Sequence, residues 1–139
     1  MLEEVKIFTD GGSRGNPGHA GIGVVAENNG KVIFEHGAYI GQATNNVAEY
    51  KAFIYSLDWV CQQPTLKKVV WSLDSLLVVK QLRGEWKVKN YDISILVNES
   101  LQRLKKAQFE YQIKHIPREE NSHADALVNQ ALDRFLQSS

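Results

Sequence analysis

Asn28-Asn29-Gly30 separates two strand-like stretches, Ala20 to Glu27 and Lys31 to Ile40. Asn-Gly supplies the positive φ angles of a tight hairpin turn, so these stretches are bound to fold back on each other as antiparallel neighbours. Upstream, Val5, Ile7 and Thr9 alternate with Lys6 and Phe8, which predicts a first strand ending at Asp10 in the turn-rich stretch Asp10 to Gly18. Three hairpin-linked strands therefore open the chain. From Thr44 the period changes: Val47, Ala48, Tyr50, Phe53, Ile54, Leu57 and Val60 make a broad helical face that ends near Pro64.

The second half alternates. Lys67 to Leu73 is a β-branched strand, Ser75 caps a short helix through Leu82, and Gly84 suits the left-handed position beyond it. A helix with Ile93, Val97, Leu101 and Leu104 on one face leads to a strand from Gln108 to Ile116, stopped by Pro117. A last helix starts near Asn121 or Ser122, with Ala124, Leu127, Val128, Ala131, Leu132 and Phe135 on its apolar face, and Gln137-Ser138-Ser139 is expected to fray. Such an order predicts an α/β domain: a mixed sheet with helices packed on it.

The 139 residues are 43% hydrophobic and suffice for one core, which excludes a disordered tail protein. Sixteen basic residues balance sixteen acidic ones, so attraction to nucleic acid must be local. The apolar runs Gly21 to Ala26 and Leu76 to Val79 fall far short of a membrane span, and Met1-Leu2-Glu3-Glu4 lacks the features of a signal peptide. The single cysteine, Cys61, is expected to be an inert buried thiol. A cytoplasmic location, no membrane contact and a monomer are expected.

Four acids stand out, each with an ordinary structural explanation beside the chemical one. Asp10 and Asp74 directly follow apolar strands; if those strands run parallel and adjacent, both side chains emerge at one sheet edge, where ligands of open α/β sheets collect. Asp after a strand is also a common turn residue. Glu49 follows Asn46 by three, as in a capping box, and Asp125 lies in the first turn of the last helix, where the dipole favours an acid.

The contexts of these acids carry a resemblance. Thr9-Asp10-Gly11-Gly12-Ser13-Arg14-Gly15-Asn16-Pro17-Gly18, Thr44-Asn45-Asn46-Val47-Ala48-Glu49, Leu73-Asp74-Ser75 and Asn121-Ser122-His123-Ala124-Asp125 resemble, in order and spacing, the four motifs of type 1 ribonucleases H. The resemblance covers nearly the whole chain. It implies a single domain over residues 1–139 with an RNase H-like fold, a five-stranded mixed sheet flanked by helices. It also implies that Asp10, Glu49, Asp74 and Asp125 are catalytic, metal-binding carboxylates. The implied reaction is endonucleolytic hydrolysis of the RNA strand of an RNA·DNA hybrid, giving 5′-phosphate and 3′-hydroxyl ends. Clustered carboxylates repel one another unless cations neutralise them, and two Mg²⁺ ions about 3.5–4 Å apart would do so, with Mn²⁺ as a substitute. Oxygen-only ligands make zinc a poor fit.

Further roles follow from the same resemblance. His115, ten residues before Asp125, matches the family's mobile histidine, which assists proton transfer or product release; a lone histidine at a strand end is otherwise structural. Arg118 competes with it for contact with the substrate or leaving phosphate. Gly11, Gly12, Ser13, Asn16, Asn45 and Asn46 resemble groups that grip the hybrid's minor groove, where 2′-hydroxyls distinguish RNA from DNA; turn chemistry and capping account for the same residues. Lys80, Arg83, Lys87 and Lys89 surround Trp86, and Trp86 with Lys87 could contact the DNA strand, against the alternative of a solvated helix end with Trp86 in the core. Trp59 and Trp71 fit core patterns, and His123 fits a helix surface.

The pattern departs from many relatives in two places. Gly84 to Asp92 leads almost directly into the next helix, without a longer basic protrusion, and Leu76 replaces a glutamine that touches substrate in some relatives. No hybrid-binding domain is expected ahead of Val5, so binding should be salt-sensitive. Two other functions stay open: a non-catalytic nucleic-acid binding module of the same fold, and an enzyme that also accepts double-stranded RNA.

Overall fold

The fold, seen in a computed structural model, is described for residues 1–138. In chain order the elements are β1 (Glu4–Gly15), β2 (Gly18–Asn28), β3 (Lys31–Ala43), α1 (Asn45–Cys61), β4 (Lys68–Leu73), α2 (Leu76–Leu82), α3 (Tyr91–Lys105), β5 (Glu110–His115) and α4 (Ser122–Gln137), with a 3-10 turn at Arg118–Glu120. The five strands form one mixed sheet in the order β3-β2-β1-β4-β5, antiparallel among the first three and parallel from β1 to β4 to β5. This is the expected α/β fold.

Asn29 and Gly30 both have positive φ, 51° and 77°, as the β2–β3 hairpin requires. One boundary is corrected. The first strand does not stop at Asp10: β1 continues to Gly15, because Gly11 to Gly15 pair with Ile22 back to Gly18 on β2. Those ladder bonds outweigh the weak strand preference of glycine, and the turn shrinks to Asn16 and Pro17. The parallel β1–β4 ladder, however, ends at Thr9 and Leu73.

Alternation along β1 splits the core. Val5 and Ile7 join Val24, Ala26, Val69, Trp71 and Leu73 on the face covered by α1, α2 and α3, whose buried residues include Tyr50, Phe53, Val78, Ile93 and Val97. Phe8 and Val25 face the other way, against Ala124 and Leu127 of α4. Trp71 is fully buried and donates its indole N–H to Ser56 Oγ at 2.8 Å, whereas Trp59 is half-buried and stacked on Phe34. Cys61 is exposed, not buried: it is the last residue of α1, and its neighbour Val60 is the one that enters the core. Of the expected fraying tail, Gln137 belongs to α4, Ser138 caps it, and Ser139 lies outside the described residues. Among the described residues no helix is long and apolar enough to cross a membrane.

Candidate active site

Because the parallel ladder ends at Thr9 and Leu73, the next residues, Asp10 and Asp74, stand side by side where β1 and β4 part, and α1 delivers Glu49 to the same place. One carboxylate oxygen from each of Asp10, Glu49 and Asp74 lies within 4.8 Å of the others. Asp125, exposed on the first turn of α4, reaches the Asp10 carboxyl with its own. The four acids line one cavity of about 450 Å³ together with Gly11, Gly12, Ser13, Arg14, Asn45, Asn46 and Arg118.

Two glycines set the approach of the helices that carry Glu49 and Asp125. A β-carbon on Gly11 would stand 2.3 Å from the Ala48 carbonyl, and one on Gly23, the ladder partner of Asp10, would stand 2.2 Å from the Ala124 carbonyl oxygen. Each helix thus sits backbone-to-backbone on the sheet at an alanine, and the acid that follows the alanine flanks Asp10. The expected Asn46–Glu49 capping box is not formed. Thr44 caps α1 instead, its hydroxyl accepting from the Val47 N–H at 3.2 Å, so Glu49 is the fifth helical residue and free to face the cavity.

Burial dominates the electrostatics. It raises the Asp10 carboxyl to about 8, with the charges of Asp74, Glu49 and Asp125 adding to the shift. Glu49 is raised by burial to about 7; Ser75 and Arg118 oppose the shift and Asp74 reinforces it.

The cavity rim is a polar weave. Asn45 Oδ1 accepts from the Ser13 N–H at 2.9 Å, and Asn16 Oδ1 accepts from the Asn45 N–H at 3.1 Å, tying the β1–β2 turn to the start of α1. Arg14, which motif reasoning passed over, pairs with Asp133 at 2.7 Å. Asn129 Nδ2 donates to Asp125 Oδ2 at 3.4 Å. His115 is exposed at the end of β5, paired in register with Leu73, and is not among the cavity-lining residues, whereas Arg118 is. His123 pairs with Glu35 at 2.7 Å on the surface, as expected of a helix-surface residue.

Trp86 and Lys87 lie apart from the acids, in a cleft of about 550 Å³ that includes Lys89, Asn90 and Asn46. Asn46 lines both depressions and so joins them. Trp86 is 45% exposed rather than tucked into the core. Buried Gln81 holds the segment, accepting from Tyr50 Oη at 2.6 Å and donating to the Lys87 carbonyl at 3.3 Å. Glu85 engages Lys80 and Arg83 at 2.9 and 2.8 Å.

Sequence reasoning also missed a role for Asn121, which it placed only near the start of the last helix and in the motif that ends at Asp125. Its side chain makes no cap bond and turns inward, donating through Nδ2 to the Thr9 carbonyl at 2.9 Å and to Asp74 Oδ2 at 3.0 Å. An asparagine four residues ahead of Asp125 was its only trace in sequence.

Comparison with known proteins agrees with this architecture. A family described as Reverse transcriptase-like matches residues 8–131. Ribonuclease H of Hydrogenovibrio crunogenus is 34% identical over 96% of this chain and 99% of its own length. LC11-RNase H1, isolated from compost, superposes with a TM-score of 0.91 at 40% identity, covering 97% of this chain and 99% of that one. The chain belongs to the type 1 ribonuclease H family. LC11-RNase H1 has also been solved in complex with an RNA/DNA hybrid, and that structure matches at 42% identity with a TM-score of 0.89, over 95% of this chain and 99% of that one. A bifunctional protein of Mycobacterium tuberculosis is 41% identical over 98% of this chain, which spans only 37% of that protein's length. In this member of the family the donor set is oxygen-only, clustered and partly buried, with the Asp10 and Glu49 carboxyls held above their ordinary range by burial first and by the neighbouring acids second. Those properties fit a hard divalent cation.

Proposed function

We propose that residues 1–139 act as a ribonuclease H domain, an endonuclease that hydrolyses the RNA strand of RNA·DNA hybrids and leaves 5′-phosphate and 3′-hydroxyl ends. The observation that carries this reading is the convergence of Asp10, Glu49 and Asp74, from three distant stretches, to within 4.8 Å, with Asp125 against Asp10. The hybrid bound by LC11-RNase H1 supports the substrate class.

The four acids are assigned as catalytic ligands of two Mg²⁺ ions, with Mn²⁺ as a substitute. When bound, such a pair supplies an activated water and offsets the charge that builds on the phosphorus oxygens. The protein's own part is to hold the acids in place and to release protons on loading, since Asp10 and Glu49 keep theirs until about pH 8 and 7. Arg118, on the cavity wall beside Glu49, contacts the scissile or leaving phosphate. His115, at the neighbouring strand end, assists proton transfer or product release. Gly11, Gly12, Ser13, Asn16, Asn45 and Asn46 meet the minor groove, and Trp86 with Lys87 takes the DNA strand across the joined cleft. We place the domain in the cytoplasm as a monomer. Double-stranded RNA is a second substrate, because its minor groove offers the same 2′-hydroxyls.

The test is product mapping on end-labelled hybrid with and without Mg²⁺. Internal cuts in RNA alone, only with metal and ending in 3′-hydroxyls, are expected. RNA left intact with either Mg²⁺ or Mn²⁺ would overturn the reading and return the chain to the binding-module class. A parallel arm with duplex RNA tests the second substrate.

A further inference from the structure

We infer that Asn121 is a positioning residue that registers three of the four acids on one another, and that its amide, rather than its bulk, sets how tightly the acid cluster holds a divalent cation. This inference rests on the metal-binding part of the proposed function.

Asn121 is 1% exposed and stands where three motif segments meet. Its Nδ2 donates to the carbonyl of Thr9, the residue before Asp10, and to Asp74 Oδ2. Its own carbonyl accepts the Asp125 N–H at 3.1 Å, the first helical bond under that acid. Both partners of the side chain are acceptors, which fixes the amide orientation and demands two donor hydrogens on one atom. An aspartate there would offer none when ionised, and a serine would offer one. With Oδ2 of Asp74 held, the carboxylate cannot swing freely, and its plane is tied to the β1 backbone beneath Asp10.

The placement is made against local preference. As the residue ahead of α4, Asn121 is suited to cap the helix, yet its side chain makes no cap bond. Its Oδ1 is buried without a partner, as is the hydroxyl of Thr9. A buried amide that leaves one of its atoms unpaired while satisfying a carboxylate is arranged for that carboxylate. Partners that orient ligating carboxylates in this way alter metal affinity about 10- to 100-fold when removed.

The experiment compares wild type with Asn121→Leu, which keeps the shape and removes both donors, and Asn121→Ser, which keeps one. Mn²⁺ alone is titrated against the metal-free proteins by thermal shift and calorimetry, and kcat and KM on hybrid are measured at the Mg²⁺ concentration that half-saturates wild type. The half-saturating Mn²⁺ concentration should rise about tenfold or more in Asn121→Leu and by less in Asn121→Ser. At that Mg²⁺ concentration kcat should fall in parallel while KM for hybrid stays within about twofold. If Asn121→Leu does not fold, Asn121→Ser decides alone. A folded variant with metal affinity and kcat within twofold of wild type overturns the inference. Wild type that binds Mn²⁺ but cuts no hybrid overturns the proposed activity instead, and the metal titration then decides for Asn121.

Discussion

Asp10 and Asp74 each stand one residue beyond the last pair of the parallel β1–β4 ladder, Thr9 and Leu73, so two acids come to lie side by side at the same height. A parallel pair of strands makes this unavoidable; an antiparallel pair would have sent them to opposite ends of the sheet. Glu49 completes the triangle from α1.

The crowding of acids makes metal-free stability pH-dependent. Asp10 and Glu49 are raised to about 8 and about 7 from ordinary values of 3.8 and 4.5, so between those limits the fold binds more protons than the unfolded chain. Their contribution is fully present below about pH 4 and is lost as pH rises through 7 to 8. Asp10→Asn should therefore melt higher than wild type in EDTA at pH 8, by about 2 kcal/mol, or several degrees. Calorimetric melts at pH 5 and pH 8 check this; equal Tm differences at both would contradict it.

Mg²⁺ should reverse that order. Wild type gains stability from a ligand that binds only the fold, whereas Asp10→Asn has lost a ligand and gains less. Hybrid cleavage by Asp10→Asn should drop by about a hundredfold or more. Initial rates at fixed Mg²⁺ measure it, and turnover near that of wild type would remove Asp10 from the reaction.

Gly11→Ala should be far worse for the fold than Gly12→Ala. The added carbon meets the Ala48 backbone at 2.3 Å in the first case, and nothing closer than 3.8 Å in the second. A loss of about 3 kcal/mol is expected for Gly11→Ala and about 0.5 kcal/mol or less for Gly12→Ala. Urea midpoints of the two variants decide the comparison.

Trp86→Ala and Lys87→Ala should separate stacking from charge. Both residues are exposed, so neither change should shift Tm by more than a degree or so. Trp86→Ala should raise KM for hybrid about tenfold with an unchanged salt dependence, and Lys87→Ala should flatten the slope of log KM against log salt by about one. Identical salt slopes for Lys87→Ala and wild type would exclude a phosphate contact there.

Much of the fold was legible before any coordinates. The Asn29-Gly30 turn, the cap at Ser75 and the apolar faces of α1, α3 and α4 are local signals, and each reappears in place. Long-range pairing was not legible: the extension of β1 from Asp10 to Gly15 depends on β2 supplying partners, and the exposure of Cys61 depends on which side of α1 packs into the core, where Val60 lies. The four acids could be singled out from their motif contexts, yet Asn46–Glu49 looked like a capping box until Thr44 was seen to hold the helix start.

By itself the sequence determined which segments become strands and helices, and which acids follow them, because turn chemistry and periodicity act over a few residues. Only the tertiary structure decided that Asn121 faces Asp74 instead of capping α4, that Arg118 rather than His115 borders the cavity, and that Trp86 stands in the open. Those outcomes depend on strand register and on helices settling onto Gly11 and Gly23, contacts between residues far apart in the chain that no local pattern encodes.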